Sequence, residues 1–267
     1  MNRRQFLAAG AALAAGAGKT MAAPFGWPIG VQSWPARDTI GKDFAGTLRM
    51  LREAGYETIE MCSPPGYASS GFGLLATMAA PEMRRAIEQA GLKCESCHYQ
   101  FNELRQNLDE RIAFAREAGI RQMVLAMFGL PNSATLADWS QAANELNRIG
   151  ERTKKAGIQT VFHNHEFEFQ KIGGVLIYDQ LMKDFDRDLV KMQFQVAVIN
   201  IGYQAVDYFE KYSGRFASMH LADWSTSEKK QVPVGAGVVD WKRLFAAARK
   251  AGVGNYFVEM SLDLMKA

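Results

Sequence analysis

KKAGIQTVFHNHEFEF, residues 154–169, reads as a basic helix end, an Ala-Gly stop and an apolar strand that closes on two histidines. Glycine after basic or polar residues marks a helix C-terminus, because the position after the cap often needs a left-handed backbone. A strand beginning one or two residues later is a short αβ connection. The same phrase recurs as REAGYETIEM (52–61), EQAGLKCESC (88–97), REAGIRQMVL (116–125) and RKAGVGNYFV (249–258). Between these phrases, DFAGTLRMLREAG, PEMRRAIEQAG and WSQAANELNRIGERTKKAG place apolar residues three and four apart, as an amphipathic helix does. The strand-like runs are PIGVQSW, ETIEMC, KCESCH, QMVLAM, QTVFHNH, KMQFQVAV, FASMHLA and NYFVEM. Strands alternating with helices in this way predict a parallel eight-stranded (β/α)8 barrel over residues 24–267. A doubly wound open sheet is the alternative, but similar units without a phosphate-binding loop favour closure. The chain stops at SLDLMKA, so the last helix is expected to be short or truncated.

The first residues differ in kind. MNRRQFLAAGAALAAGAGKTMAA carries an Arg pair, a weakly apolar run and small residues near Ala22, with no acid before Asp38. This is the layout of an export signal over residues 1–23, and Arg3-Arg4-Gln5-Phe6-Leu7 resembles the twin-arginine type. Lys19 interrupts a run far shorter than the roughly 20 apolar residues that span a bilayer. The expectation is an exported, periplasmic protein with no stable membrane anchor after cleavage. The chain has 31 Lys+Arg and 28 Asp+Glu; loss of Arg3, Arg4 and Lys19 leaves 28 against 28. A neutral chain without a basic run or nucleotide-cradling glycine loop is not built to grip a phosphate backbone, which excludes a nucleic-acid partner. Three cysteines (Cys62, Cys94, Cys97) do not make a disulfide framework. CESC falls in a strand, where residues three apart face opposite ways, so packing explains it better than redox chemistry.

In barrels of this kind chemistry gathers at the C-terminal strand ends. Glu60 closes the second strand-like run, His98 the third, His163 and His165 the fifth, His220 the seventh and Glu259 the eighth. These are all four histidines of the chain. Alternation puts His163 and His165 on one face. It turns Gln193 and Gln195 inward, while Met192, Phe194, Val196 and Val198 pack outward. A carboxylate inside an apolar strand is costly without a partner, and a divalent cation would partner Glu60 and Glu259. Asp223 and Trp224 in ADWS either orient and floor a sugar ring or cap a helix and pack. Glu166 and Glu168 lie past the strand end and receive no role.

Taken together, FHNHEFEF, YFEKYSGRFASMHLADW, VPVGAGVVDWKRLF and YFVEM make the chain resemble the xylose isomerase-like TIM barrel family of sugar isomerases and epimerases. The resemblance covers nearly all of the chain after the signal. It implies a divalent metal held by His163, Gln195, His220 and Glu259. Two of these, His163 and Gln195, stand where the family usually has Glu and Asp. Ala222 in HLADW and Ala236 in GAG also replace usual Lys and Glu, which puts ordinary aldose–ketose or epimerase chemistry in doubt. An imidazole-bearing, less acidic ligand set suits Mn, Zn, Co, Fe or Ni better than Mg. The implied activity is proton abstraction next to a sugar carbonyl by Glu259, with His165 or Glu60 relaying the proton. His98, Asn164, Asp223 and Trp224 are then expected to contact a small-molecule sugar or glycoside. A keto-glycoside lyase or hydratase using the same first step is the first alternative. A catalytically silent carbohydrate-binding barrel is the second. A homo-oligomer is compatible with either.

Overall fold

The computed structural model describes residues 26–266, so the export signal expected over residues 1–23 lies outside the described residues. The glycines of the five Ala-Gly phrases, Gly55, Gly91, Gly119, Gly157 and Gly252, all have φ between 75° and 98°. Each phrase ends a helix and starts a strand, as its composition dictates.

The eight barrel strands are β1 (Gly30–Gln32), β2 (Thr58–Cys62), β3 (Lys93–Tyr99), β4 (Gln122–Leu125), β5 (Gln159–His163), β6 (Val190–Gln195), β7 (Phe216–Leu221) and β8 (Asn255–Val258). They form a closed, all-parallel barrel in which each strand pairs with its neighbours in sequence and β8 returns to β1. The larger helices on its outside are α1 (Phe44–Glu53), α2 (Ala80–Gln89), α3 (Phe101–Ala118), α4 (Leu136–Lys155), α5 (Ile177–Asp184), α6 (Ala205–Lys211) and α7 (Trp241–Lys250). The last described helix, α8, is short, Leu262–Lys266.

Helix starts are capped by their own sequence. Asp43 accepts from the Gly46 N–H, Asp240 accepts from the Arg243 N–H, and Thr135 and Asp138 form a reciprocal capping box at α4. The apolar core fills the layer between strands and helices. Phe194 of β6, for example, sits among the rings of Phe169, Tyr178, Tyr208 and Phe209.

The upper barrel interior is polar, where such barrels usually carry branched aliphatic side chains. Register explains this. Gln32, Glu60 and Ser96 are Cα partners across β1, β2 and β3; His163, Gln193 and Ser218 are partners across β5, β6 and β7. Residues in register share a face, so these polar side chains form one inward layer. All six are 1% exposed or less.

Several strands end earlier than the sequence pattern suggests. β6 stops at Gln195, because the Gln195 side-chain oxygen accepts from the Ala197 N–H (3.2 Å) and tightens residues Val196–Ile201 into a 3-10 turn. Val196 and Val198 are buried in that turn rather than in the strand. Asn164 and His165 likewise lie just past β5, and Glu259 one residue past β8. Cys94 and Cys97 are free thiols on β3. Burial pushes both pKa values up, that of Cys94 to about 12, so neither is a ready thiolate.

Candidate active site

The centre of the site is Glu60. Its Oε1 accepts from Ser96 Oγ (2.6 Å) and Gln193 Nε2 (2.8 Å). Its Oε2 accepts from Gln32 Nε2 (2.7 Å) and meets His220 Nε2 (2.6 Å) and His98 Nε2 (3.1 Å). Burial alone would raise its pKa, but the facing imidazoles of His98 and His220 outweigh it and hold the carboxyl well below the usual range. Glu60 is thus a fully buried carboxylate saturated by protein donors.

His220 bridges the two carboxylates. Its Nδ1 lies 3.0 Å from Glu259 Oε2 while its Nε2 faces Glu60. Burial would strip its proton, yet Glu259 and Glu60 together push its pKa up to about 9. Glu259 also accepts from Gln195 Nε2 (2.5 Å), and its carboxylate is the partly exposed member of the group. Burial would raise Glu259 as well, but His220 brings it down to about 2.

The HNH tripeptide at the end of β5 behaves differently. His163, 1% exposed, has no hydrogen-bond partner on either ring nitrogen, and Asn164 Nδ2 and His165 Nδ1 are equally without one. Asn164 uses its oxygen to accept from the Gln195 N–H (3.3 Å). Burial, then the neighbouring His220, His165 and His98, push the His163 pKa well below its ordinary value; the nearby backbone of Gln193 pulls weakly the other way. His165 is lowered too, chiefly by burial. Both rings are therefore neutral imidazoles with free lone pairs.

These groups fit a cation. One ligand atom each from His98, His163 and His220 lies within 4.8 Å of the others. Neutral imidazole is a ligand for Zn, Cu, Fe and Ni, and the orphaned nitrogens of buried His163 require a partner that the protein does not supply. Of the expected set of His163, Gln195, His220 and Glu259, Gln195 is engaged elsewhere. Gln195 turns its Nε2, which has no lone pair, toward Glu259, and commits its oxygen to the Ala197 N–H. His98, expected against substrate, stands in the cluster instead. Glu60, expected to relay a proton, has no oxygen turned to substrate.

Asp223 is also corrected. Its carboxylate accepts from the backbone N–H groups of Trp224, Gly235, Gly237 and Val239 and from Trp241 Nε1, all between 2.9 and 3.2 Å. It ties the whole loop after β7 to the barrel rim, and a carboxylate so engaged has nothing left for a sugar. Gly237 is needed there, since a Cβ would lie 2.2 Å from Asp223 Oδ1. Trp224 is half-buried on the hairpin of Asp223–Ser225 with Lys230–Val232. Glu168, to which the sequence assigns no role, is buried and accepts from the His165 N–H (2.7 Å), fixing the turn that carries His165. Its signal in the sequence is faint: an acid between two phenylalanines.

The shifts give a pH prediction for chelator-treated protein. The His220 pKa is raised from 6.5 to about 9, so its stabilising contribution is complete below 6.5 and lost as pH rises through 9. The Glu259 pKa is lowered from 4.5 to about 2, so its contribution is complete above 4.5 and lost as pH falls through 2. Desolvated Glu168, raised from 4.5 to about 7, costs stability as pH rises across that interval. His163 and His165, held below 6.5, lose stability as pH falls under that value, so the urea midpoint of the metal-free protein should be highest near pH 6.5 and fall toward about pH 9. A midpoint that rises between pH 6.5 and about 9 would contradict the bridged arrangement.

The fold and site define a closed parallel (β/α)8 barrel with a polar upper layer and a cluster of imidazoles and carboxylates at its C-terminal end. The chain belongs to the xylose isomerase-like TIM barrel family, whose model matches residues 48–263. A sugar phosphate isomerase/epimerase from Parabacteroides distasonis superposes with a TM-score of 0.75 at 24% identity, covering 90% of this chain and 91% of that one. A xylose isomerase-like TIM barrel protein from Mycobacterium smegmatis, solved in complex with magnesium, gives a TM-score of 0.64 at 17% identity, covering 90% and 93%. Inosose dehydratase from Lacticaseibacillus casei is 25% identical over 150 residues, which is 49% of this chain and 49% of that protein. The chain thus aligns over about half the length of this curated relative.

Proposed function

We propose that this chain is a metal-dependent carbohydrate enzyme that removes a proton from the carbon beside a sugar carbonyl. The observation that carries this is the run of four unpartnered buried polar atoms on His163, Asn164 and His165. Buried polar atoms are ordinarily satisfied, and three consecutive residues left unsatisfied at the C-terminal end of a barrel strand are arranged for a ligand. His163 and His98 would hold the cation, joined by His220 once its shared proton is displaced; it would draw electron density from a sugar carbonyl and so acidify the neighbouring C–H.

The residues of the chain do the rest. Glu259 is ionised, partly exposed and held in place by His220 and Gln195, so it accepts the proton. His165, a neutral imidazole with an open Nδ1, takes the proton from Glu259 and, as imidazolium, returns it to carbon or delivers it to a leaving oxygen. Glu60 fixes the imidazoles and touches no substrate. The proton removal is common to isomerisation, epimerisation and elimination, and the dehydratase and epimerase names among related proteins fit that shared step. The N-terminal Arg pair supports an exported enzyme acting on free sugars or glycosides.

The test is metal content by mass spectrometry on protein purified without chelator or histidine tag, paired with proton NMR of ketohexoses and keto-glycosides in deuterated water. Near-stoichiometric transition metal, lost in His163→Ala, together with deuterium entering beside the carbonyl, is the expected result. Sugar binding without metal uptake or exchange would replace this function with that of a silent carbohydrate-binding barrel.

A further inference from the structure

Resting on the sugar-enzyme function proposed above, we infer that the substrate is a keto-glycoside whose aglycone is an apolar group of about one aromatic ring, seated in a pocket between the loops after β4 and β5. The pocket has a volume of about 200 Å³. Leu130, Ala134, Trp139, Phe167, Ile172 and Ile177 supply its apolar wall. An apolar cavity of about 150 Å³ is enough to take up benzene, so this one has room for a ring.

The pocket is joined to the site. Glu168 lines it and also holds the His165 N–H, and the Phe167 ring lies 6.3 Å from that of His165. His165 in turn sits 4.8 Å, ring to ring, from His163. A sugar placed beside His165 therefore leaves its substituent at the mouth of this pocket. The one carboxyl in the wall is itself starved of solvent: burial lifts the Glu168 pKa to about 7, as expected in an apolar enclosure.

The surroundings agree. Among the described residues the large exposed hydrophobics are Leu74, Met127, Phe167, Ile201 and Val238. They lie on the loops after β2, β4, β5, β6 and β7 in that order, all on the face that carries the site. Two of them, Met127 and Phe167, line the pocket itself, where exposed apolar side chains side by side mark a surface for an apolar ligand. The wall of the pocket carries no Lys or Arg, so it is unsuited to a phosphate group.

The experiment compares the phenyl and methyl β-glycosides of one keto-glucopyranose by calorimetry on the metal-loaded full chain. Phenyl glycoside should bind at least tenfold more tightly. Ala134→Phe, which fills the pocket, and Ile172→Ala, which opens its rim, should each remove most of that preference while metal content and methyl glycoside binding stay unchanged. Equal binding of the two glycosides overturns the inference, as does a preference that survives both substitutions. Failure here with metal and deuterium exchange intact removes only the aglycone pocket. Loss of metal and exchange with the phenyl preference intact removes only the enzymatic function.

Discussion

Glu60→Gln is expected to lower the stability of the chelator-treated protein by roughly 3–5 kcal/mol, the usual cost of breaking a buried ion pair from one side. The change is isosteric, so packing does not decide it; donor geometry does. Gln32 must present its Nε2 to Glu60, because its oxygen accepts from the Trp34 N–H (3.0 Å). Gln193 must do the same, because its Nε2 is shared with Ser218 and its oxygen meets His98 Nε2. These donors approach opposite oxygens of the carboxylate. Whichever oxygen the substitution turns into an amide NH2, that NH2 would confront at least one of them with another donor. The charge that keeps His220 protonated would be halved at the same time. A urea midpoint measured by far-ultraviolet circular dichroism at pH 6 should shift accordingly. An unchanged midpoint would show that Glu60 is not the hub of the layer.

The barrel was legible in the sequence because one local rule, a left-handed glycine after a helix, repeats at five places and each repeat sets a strand start. That His163, His220 and Glu259 gather at one end of the barrel was legible because the sequence places each at a strand end. Gln193 was correctly turned inward by alternation alone. What alternation could not supply is which inward residues lie at the same height, since that depends on register between strands. The pairing of Gln32 with Glu60 and of Glu60 with Ser96 spans 28 and 36 residues and shows only when the strands are aligned. His98 was misassigned for the same reason. It belongs to the cluster because a cross-barrel contact to Gln193 carries it there. The contacts of Asp223 and Gln195 were not legible because they are made largely to backbone N–H groups, which leave no side-chain pattern. A loop that folds back to offer four of them to one carboxylate leaves only its glycines and its tryptophan as a trace.

The same substitution at the other glutamate should act mainly on activity. Glu259→Gln is expected to reduce solvent exchange and turnover by about 10²–10⁴-fold, the ordinary worth of a positioned general base, and to lower the urea midpoint less than Glu60→Gln does, because the charge facing His220 is lost but no donor is left against another. Glu259 uses Oε2 for both protein contacts, His220 Nδ1 and Gln195 Nε2. A glutamine can place its carbonyl oxygen at that point and turn its NH2 outward, where no protein partner is displaced, so the fold survives. What it cannot do is accept a proton. The low pKa of Glu259, about 2, means that the carboxylate is ionised throughout the accessible pH range, so the loss should not be recovered by raising pH. If His165 were the sole base, activity in Glu259→Gln would stay near the wild-type level and fall instead in His165→Gln. Measuring both variants, with metal content as the control, separates a group that takes the proton from one that returns it. Retained exchange in Glu259→Gln with metal bound would move the base to His165.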